Sequence, residues 1–479
     1  MEYETVIGLE VHLQLATRTK VFCDCSTEFG KSPNTQTCAV CLGLPGALPV
    51  LNEAALLYAI KVGLALNCKI QEFTKFDRKH YYYPDLPKNY QISQYDLPIA
   101  KNGYLDILVD NQKKRIGIRR VHLEEDAGKL IHQEEASLVD YNRAGVPLLE
   151  IVSEPQINSP QEAYAYLTYL KSVIEYLDVS DCDMEKGSLR CDANISLRPR
   201  GSKALGVKAE LKNMNSFRAV REALNFEIGR QRQILEDGRQ IIQETRLWDA
   251  REEKTLTMRF KEEAKDYRYF PEPDLPPFII SKSKIAELES SIPELPREKV
   301  LRFIKEYTGV SEEQANVFTA SKKDADFVEE CMRAYPGEDK KIVADWLVGP
   351  VAANTSPGGG LADVKIPGEI TELIKLVLLT EEGNISYLAA KSVLSESVAS
   401  GKLASLIIEE KNLYQVSDAD ALRKISEEVI KENPKSVQDY KSGKVNAVGF
   451  LVGQVMKKSK GKANPKMAQM ILKDILDKR

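Results

Sequence analysis

Long apolar runs are absent from the 479-residue sequence. No stretch of roughly 18 uncharged apolar residues occurs, which excludes a membrane-spanning helix. The opening MEYETVIGLEVHLQL has neither the basic start nor the unbroken apolar core of a secretion signal. We therefore expect an unexported, cytoplasmic protein with no membrane contact.

Cysteine is also scarce, since the chain has eight, too few for a disulfide scaffold. Four of them form the pairs Cys23-x-Cys25 and Cys38-x-x-Cys41, separated by twelve residues that include turn-forming Gly, Pro and Asn. Four thiolates at this spacing can surround Zn²⁺ tetrahedrally and leave no position open for chemistry. The pattern predicts a structural zinc site in a reducing compartment. Four unligated thiols are the alternative.

Glycine-rich nucleotide motifs are missing, because no Walker motif is present and no GxGxxG follows a strand. Any nucleotide must then be held by side chains. Residues 77–83 and 266–274 place cations beside aromatic rings, which can neutralise phosphoryl oxygens and stack on a base. We expect Lys79 and Arg268 to contact the nucleotide, although an aromatic-rich structural turn explains either segment equally well.

Net positive charge is lacking, since the formal net charge is −4. That total hides an asymmetry. Residues 431–479 contain twelve Lys or Arg and four Asp or Glu, so they carry +8 and leave −12 on residues 1–430. The segment GFLVGQVMKKSKGKANP lies in this basic region and joins an apolar helix to a basic loop. It could contact nucleic-acid phosphates, and a solvated lysine-rich helical surface is the alternative.

The sequence does contain several segments with the period of β-strands that have one apolar and one ionisable face. Residues 5–15 alternate in this way, and residues 189–197 and 205–211 repeat the pattern. The ionisable residues on these faces include Glu10, His12, Asp192 and Glu210. The run RVHLEEDAGK adds acids, but its alternation is too short to show which acid points inward. Repeated carboxylate clusters predict bound Mg²⁺. For any single strand, the alternative is that its ionisable residues lie on the solvent-exposed face of an antiparallel sheet.

The sequence pattern changes from strand-like to helix-like near residue 292. Residues 1–292 are rich in short alternating segments broken by Gly, Pro and Asn, with the proline-rich run YFPEPDLPP near their end. Residues 293–404 and 405–479 have the amphipathic pattern of helices. We predict an α+β protein with a β-rich domain, an all-helical domain and a small helical tail domain.

Many sequence blocks resemble the signature blocks of one family. In order through the first 280 residues they are VIGLEVHLQL, VFCDCSTEFG, CLGLPGALPVLN, KHYYYPDLPKNYQISQYDLPIA, HLEEDAGK, YNRAGVPLLEIVSEP, GSLRCDANISLRP, ELKNMNSF and DYRYFPEPDLPP. They resemble the B subunits of aspartyl/glutamyl-tRNA(Asn/Gln) amidotransferases, the GatB/GatE family. The C-terminal GFLVGQVMKKSKGKANP is similar to the tail domain of that family, so the resemblance runs almost end to end.

The resemblance implies a catalytic cradle domain with a zinc knot over residues 1–292, related in fold to glutamine synthetase and guanidino kinases. A helical domain and a YqeY-like tail that contacts tRNA would follow. ATP and Mg²⁺ would activate the side-chain carboxylate of misacylated Glu-tRNA(Gln) or Asp-tRNA(Asn) as an acyl phosphate, which ammonia converts to the amide. An amidase A subunit that frees the ammonia and a small C subunit would complete a heterotrimer.

The family's active-site residues carry over to matching positions of this sequence. The implied catalytic set is Glu10, His12, Lys79, Glu125, Asp192 and Glu210. The implied magnesium ligands are Glu10, His12, Glu125 and Glu150, and the implied zinc ligands are Cys23, Cys25, Cys38 and Cys41. Gln156 replaces the usual Asp after EIVSEP and is assigned no role, and the family pattern fades around residues 348–361.

Two other functions remain open on the sequence. One is a nonenzymatic zinc-containing RNA-binding protein, which ATP turnover with misacylated tRNA would exclude. The other is a metal-dependent hydrolase in which the same carboxylates activate water without a nucleotide. Whether Glu-tRNA, Asp-tRNA or both are substrates depends on contacts to RNA shape that the sequence does not specify.

Overall fold

A computed structural model gives the fold of the chain. It describes residues 2–110, 112–260, 267–357, 359–414, 419–442, 444, 446–459 and 463–478. The chain divides into two compact units, Met1–Leu295 and Pro296–Arg479. The finer division at 292/293 and 404/405 stays a prediction.

The described residues contain sixteen strands, all in the first unit. They are β1 (Tyr3–Gln14), β2 (Lys69–Ile70), β3 (Phe73–Thr74), β4 (Asp77–His80), β5 (Tyr90–Ser93), β6 (Ala100–Val109), β7 (Gln112–Glu125), β8 (Lys129–His132), β9 (Ser137–Asp140), β10 (Pro147–Ser153), β11 (Leu189–Pro199), β12 (Ala209–Lys212), β13 (Glu244–Asp249), β14 (Lys254–Phe260), β15 (Phe270–Pro271) and β16 (Phe278–Ile279).

Fifteen α-helices are found over the same described residues. They are α1 (Glu53–Ala65), α2 (Pro160–Tyr176), α3 (Phe217–Glu236), α4 (Lys282–Ser290), α5 (Pro296–Glu306), α6 (Glu312–Phe318), α7 (Lys322–Ala334), α8 (Lys341–Trp346), α9 (Glu369–Glu381), α10 (Tyr387–Ser400), α11 (Ala404–Glu410), α12 (Ala419–Glu432), α13 (Pro434–Lys441), α14 (Ala447–Lys458) and α15 (Pro465–Asp477).

A nine-stranded sheet dominates the first unit, in the order β14-β13-β12-β11-β1-β10-β7-β6-β2. Neighbouring strands are antiparallel except β12 and β13, which are parallel. β1 lies at the centre, where its alternating sequence buries Leu9, Val11 and Leu13 on one face. The opposite face of the strand therefore carries its ionisable side chains.

Helices α2 and α3 pack on each other, α3 also packs on β11, and the buried face of α2 belongs to the same apolar core as the sheet. Each helix begins where a serine hydroxyl accepts a backbone N–H, Ser159 from Glu162 and Ser216 from Ala219. Residues Ala163, Leu167, Leu170 and Ile174 recur with helical spacing on the buried face of α2. This burial of the apolar side leaves the ionisable face of the sheet free for other contacts.

Three small sheets complete the strands of the first unit, in the orders β15-β4-β5, β16-β3 and β8-β9. β5 is held against the end of β7, because Ile92 donates its N–H to Glu125 and Ser93 donates its hydroxyl to Glu124. Because β4 pairs with β5, these hydrogen bonds also place β4 beside the polar face of the large sheet.

The second unit is helical and contains two separate apolar cores among its described residues. One spans positions 300–408 and the other positions 422–476. The strand-rich first unit and helical second unit confirm the predicted mixed α and β composition, while the glutamine synthetase and guanidino kinase fold stays a prediction. Part of the predicted basic loop, residues 460–462, lies outside the described residues. No described helix is both long and apolar enough to cross a bilayer.

A buried ionic network fastens α3 to the edge of the large sheet. The Glu227 carboxylate is fully buried and accepts hydrogen bonds from Arg230, Gln231 and Thr255. The Arg246 guanidinium on β13 lies 3.4 Å from the same carboxylate. Removal of Glu227 would leave Arg230 and Arg246 to share the Glu244 carboxylate. One positive charge of the network would then lack a counter-ion, which is more costly than losing an exposed pair.

We predict that Glu227→Ala lowers the free energy of unfolding of the first unit by about 3–5 kcal/mol. The matched control is Glu222→Ala on the same helix, which removes a pair with the exposed Arg218 and should cost much less. Urea denaturation followed by circular dichroism measures both values. An equal loss of unfolding free energy in the two variants would contradict the stabilising role of the Glu227 network.

Candidate active site

The ionisable faces of neighbouring strands meet in one row on the large sheet. In the register of β1, Glu10 is paired with Asp192 on β11 and His12 with Glu150 on β10. Glu150 is paired in turn with His122 on β7. Directly paired residues have Cβ atoms about 4.5–5.5 Å apart. The fold therefore brings together acids and histidines that lie far apart in the sequence.

Two of these residues, His12 and Glu150, form the His12 group together with Glu124. Each offers a ligand atom that lies within 4.8 Å of the others. His12 Nε2 is 3.5 Å from a Glu150 oxygen, and His122 Nε2 lies 3.5 Å from Glu150 and 3.6 Å from Glu124. Imidazole and carboxylate ligands at this spacing can hold a divalent cation.

Glu10, Asp192 and Glu210 form a second cluster, the Glu10 group, whose carboxylate oxygens also lie within 4.8 Å of one another. The Lys212 ammonium contacts Asp192 and lies 3.2 Å from Glu210. Asn194 donates its amide to Glu10 at 3.2 Å. Three carboxylates face a single lysine here, so the group has capacity for a further cation.

The protonation of these groups reflects burial and mutual repulsion. Burial, followed by repulsion from Glu150, raises the pKa of Glu10. Burial opposes ionisation of Glu150 too, but the charges of His122 and His12 outweigh it and lower the pKa of Glu150. Burial disfavours the His12 cation, and its hydrogen bond with Glu150 nonetheless raises the pKa of His12. Glu10 and His12 therefore hold their protons more firmly than usual, whereas Glu150 gives up its proton more readily. A divalent cation bound here would replace the protons of Glu10 and His12 and offset the carboxylate charge.

Lys79 reaches this row from β4. Burial disfavours its ammonium, yet attraction by Glu124 and Glu150, together with Tyr269, raises the pKa of Lys79 above its ordinary value. Its Nζ lies 5.1 Å from the centroid of the Tyr267 ring, which is a cation–π contact. The Lys79 ammonium therefore interacts electrostatically with the carboxylates of the His12 group, so the site has a permanent cation beside its acids.

Arg268 has a different position. Its side chain is exposed and its backbone has φ 46°, in the left-handed region. The adjacent backbone lies along β4, because His80 donates its N–H to the Tyr267 carbonyl at 2.8 Å. Asp266, the start of the predicted segment, lies outside the described residues. The structure brings Arg268 near β4 but does not include it in either acidic group.

Tyrosine rings line the approach to Lys79. Tyr95 and Tyr269 are stacked, with ring centroids 4.1 Å apart and an interplanar angle of 12°. Tyr267 packs edge-on against both Tyr269 and Tyr81. Such rings beside a lysine are suited to a base and its phosphates.

Glu125, expected among the magnesium ligands, lies outside both acidic groups. Its carboxylate accepts the Ile92 N–H at 2.8 Å and forms an ion pair with Lys88 at 2.6 Å. The physical reason is the period of a strand, because adjacent residues point to opposite faces. Glu124 therefore occupies the position in the His12 group that was expected for Glu125.

Four residues of the site were not among the predicted site residues: His122, Glu124, Asn194 and Lys212. His122 and Glu124 share a face of β7, and Asn194 and Lys212 share the face of Asp192 and Glu210 on their strands. The period of two extended from His122 would have selected Glu124. The contact of Lys212 with Asp192 could not be read from spacing, because it joins two different strands.

Unpaired polar atoms also point to a missing ligand. Within the described part of the chain, His122 Nδ1, Arg120 Nε and Asn194 Oδ1 are buried without a hydrogen-bond partner. Leaving a buried polar atom unpaired costs about 1–3 kcal/mol. These are three of the nine such atoms among the described residues, and groups bound at the row would offer them hydrogen-bond partners.

The four predicted zinc ligands converge at a second place. The Sγ atoms of Cys23, Cys25, Cys38 and Cys41 lie within 4.8 Å of one another. A metal–sulfur bond of about 2.3 Å puts neighbouring ligands of a tetrahedral site roughly 3.8 Å apart, so the cluster fits a metal ion. A hydrogen bond from Cys23 lowers the pKa of Cys41 to about 4 against the effect of burial. The prediction that these cysteines lie together is confirmed.

Comparison with known proteins identifies the relatives of this chain. Residues 5–286 match the family described as the GatB/GatE catalytic domain, and residues 326–476 match the family described as the GatB domain. A Thermoanaerobacter pseudethanolicus protein, named as the B subunit of aspartyl/glutamyl-tRNA(Asn/Gln) amidotransferase, is 56% identical over 479 residues, all of both chains. Proteins of the same name from Carboxydothermus hydrogenoformans and Brevibacillus brevis are 54% and 53% identical. Those alignments cover 100% and 99% of this chain and 99% of each relative.

The placement of Glu124 and Glu125 generates a direct test. We predict that Glu124→Gln weakens Mn²⁺ binding at the His12 group by at least about tenfold, because it removes a hard anionic ligand. Glu125→Gln should leave Mn²⁺ affinity unchanged and lower stability by about 1–3 kcal/mol through its lost ion pair. Electron paramagnetic resonance titration and urea denaturation give the two quantities. The assignment is wrong if Glu125→Gln is the variant that loses the ion.

Proposed function

The chain belongs to the family of B subunits of aspartyl/glutamyl-tRNA(Asn/Gln) amidotransferases, and from this premise we propose that its acid-lined row activates the carboxylate of misacylated tRNA with ATP and Mg²⁺. The product would be Gln-tRNA(Gln), Asn-tRNA(Asn) or both. The observation that carries the proposal is the convergence of the His12 group, the Glu10 group and Lys79 on one face of the sheet.

The chemistry explains why such a row is needed. A carboxylate resists ammonia, because its charge repels nucleophiles and oxide is a very poor leaving group. Transfer of the γ-phosphoryl group of ATP to a carboxylate oxygen gives an acyl phosphate and ADP. Ammonia then attacks the acyl carbon and the bond from carbon to the phosphorylated oxygen breaks. Phosphate leaves with one proton of the ammonia as the amide forms. Charge stabilisation and alignment are the main demands of the first step.

The residues of the row match those demands. Lys79 would neutralise phosphoryl oxygens, and the stacked Tyr95 and Tyr269 offer a surface for a base. The His12 group and the Glu10 group would hold Mg²⁺, whose hard ligands are carboxylates and water. When bound, Mg²⁺ would offset the charge of the phosphates. Arg268, exposed near β4, would contact the outer part of the nucleotide.

The B-subunit name of the relatives implies a multisubunit enzyme that works with tRNA. We propose that an amidase A subunit supplies ammonia from glutamine and that a small C subunit joins the two proteins. The helical tail, residues 405–479, would contact tRNA phosphates through its net charge of +8 over residues 431–479. The eight cysteines, all within the described residues, form no disulfide bond, which suits the reducing cytoplasm where translation occurs.

The cysteine cluster would hold Zn²⁺ as a structural ion. Four cysteine ligands leave no coordination position for substrate, so this metal would brace the fold and take no part in the transfer. The convergence of the four sulfur atoms supports this part of the proposal.

The active-site proposal predicts that Glu10→Gln and Lys79→Met each lower amide formation on misacylated tRNA by roughly 100-fold or more, because charge stabilisation of the transferred group is lost. Glutamine hydrolysis by the assembled A subunit should persist. The assay follows conversion of glutamyl-tRNA or aspartyl-tRNA by the heterotrimer.

Glu4→Gln is the matched control for Glu10→Gln. Glu4 lies on the same strand and pairs with Arg198 outside the acidic groups. Its variant should amidate at the wild-type rate. Normal amidation by Glu10→Gln would defeat the proposed role of the row, and slow amidation by Glu4→Gln would point to a general folding defect instead.

The zinc proposal predicts one zinc ion per chain, lost when Cys41→Ser replaces a thiolate. Cys68→Ala is the control, since Cys68 is buried in the core of the same unit and lies outside the cluster. Plasma mass spectrometry of the purified proteins measures zinc against sulfur. Equal zinc content in the Cys41 variant and the wild type would contradict the site.

A further inference from the structure

A lysine with no exposed surface lies beside the cysteine cluster. Lys20 has 0% relative exposure, which is unusual for a residue that is almost never fully buried unless it is paired. Its ammonium donates to the Gln36 carbonyl at 2.8 Å, the Tyr141 carbonyl at 3.2 Å and Cys41 Sγ at 3.7 Å. Two of these acceptors are neutral carbonyls, so the sulfur is the acceptor that can carry compensating charge.

The charges of the site explain why a cation belongs there. Four thiolates around one divalent ion leave a net charge of about −2, and burying uncompensated charge is costly. Cys41 is the buried member of the four cysteines, so water compensates it least. It also accepts the backbone N–H of Cys38 at 3.1 Å. The Lys20 ammonium offsets one unit of this negative charge where solvent cannot.

Lys20 also joins the cluster to a second segment of the first unit. Gln36 lies in the loop between the two cysteine pairs, whereas Tyr141 lies in the 141–146 segment, which precedes β10. The junction is reinforced by Val21, which donates its N–H to the Gly145 carbonyl at 2.9 Å. Gly145 has φ 88° and an added Cβ would lie 3.3 Å from the Lys20 side chain, so this segment passes closely over the lysine.

The 141–146 segment leads directly to the acidic row. Gly145 donates its N–H to the Asp126 carbonyl, and Asp126 donates its N–H to the Val146 carbonyl. Asp126 follows the last residue of β7, which carries Glu124, and Val146 precedes β10, which carries Glu150. The segment therefore fixes the ends of the two strands that supply carboxylates to the His12 group.

We propose that Lys20 is a positioning residue for the metal of the cysteine cluster: its ammonium compensates the thiolates and ties the loaded cluster to the 141–146 segment. The inference rests on the proposed metal at this cluster. A lysine that only fills space would influence stability, but it would not alter the electronic character of a Cys41–metal bond. This difference makes the proposal testable apart from folding.

The test uses the full-length chain in its heterotrimer, with the variants Lys20→Met, Lys20→Gln and Lys20→Arg. Zinc release to excess chelator is timed for each protein. Lys20→Met and Lys20→Gln are expected to release zinc roughly 10- to 100-fold faster than the wild type, and Lys20→Arg less than either, because it keeps the charge. Lys31→Met is the control, since Lys31 is half-exposed on the same loop and pairs with the exposed Glu28.

Substitution of Co²⁺ for zinc provides a spectroscopic readout. Loss of the hydrogen bond to Cys41 Sγ raises the energy of the sulfur lone pairs, so the sulfur-to-cobalt charge-transfer band of Lys20→Met is expected at longer wavelength. The same band in Lys31→Met should coincide with that of the wild type.

The outcomes separate the two proposals. A wild-type chain that binds neither zinc nor cobalt overturns the metal site and the role of Lys20 with it. A wild-type chain that holds metal, with unchanged release and an unchanged band in Lys20→Met, overturns the role of Lys20 alone. Should Lys20→Met and Lys20→Gln fail to fold, Lys20→Arg decides. Zinc release close to the wild-type rate supports the charge role, and release roughly 10- to 100-fold faster than the wild type, the rate expected for the uncharged variants, contradicts it.

Discussion

Carboxylates crowded on one face of the nine-stranded sheet repel one another, and the site depends on how that repulsion is offset. The apolar face of β1 is fully buried, which fixes the register and prevents the ionisable side chains from turning away. Lys79 and Lys212 offset part of the charge from opposite ends of the row. The remaining negative charge is the physical reason that the row should hold a divalent cation. That cation and Lys79 would then attract a triphosphate, and activation of a carboxylate is the chemistry that uses both.

The cysteine cluster is connected to the same site through a series of hydrogen bonds. Its connection runs through Lys20 to the 141–146 segment, and from there to the ends of β7 and β10. Glu124 and Glu150 lie on those two strands, so a change in the cluster would be transmitted as a change in ligand position. The proposed structural metal would thus support the proposed active site without touching substrate.

Sequence reasoning succeeded where the information was local. Alternation along β1 was sufficient to place Glu10 and His12 on one face, and the spacing of the cysteines was sufficient to bring their sulfur atoms together. It was insufficient to choose between Glu124 and Glu125, because the choice follows from the pairing of His122 with Glu150 on a strand more than twenty positions away. The parallel pairing of β12 and β13 also joins strands separated by α3, and no local pattern encodes it.

The central claim is that this row passes a phosphoryl group to the carboxylate of the tRNA-bound amino acid. The most direct measurement uses misacylated tRNA whose side-chain carboxylate carries a heavy oxygen isotope, with ATP and the wild-type heterotrimer. One labelled oxygen should appear in each inorganic phosphate released as the amide forms, since the oxygen that accepts the phosphoryl group leaves with it. Phosphate free of the label, alongside full conversion to the amide, would contradict an acyl phosphate and with it the function proposed for the site.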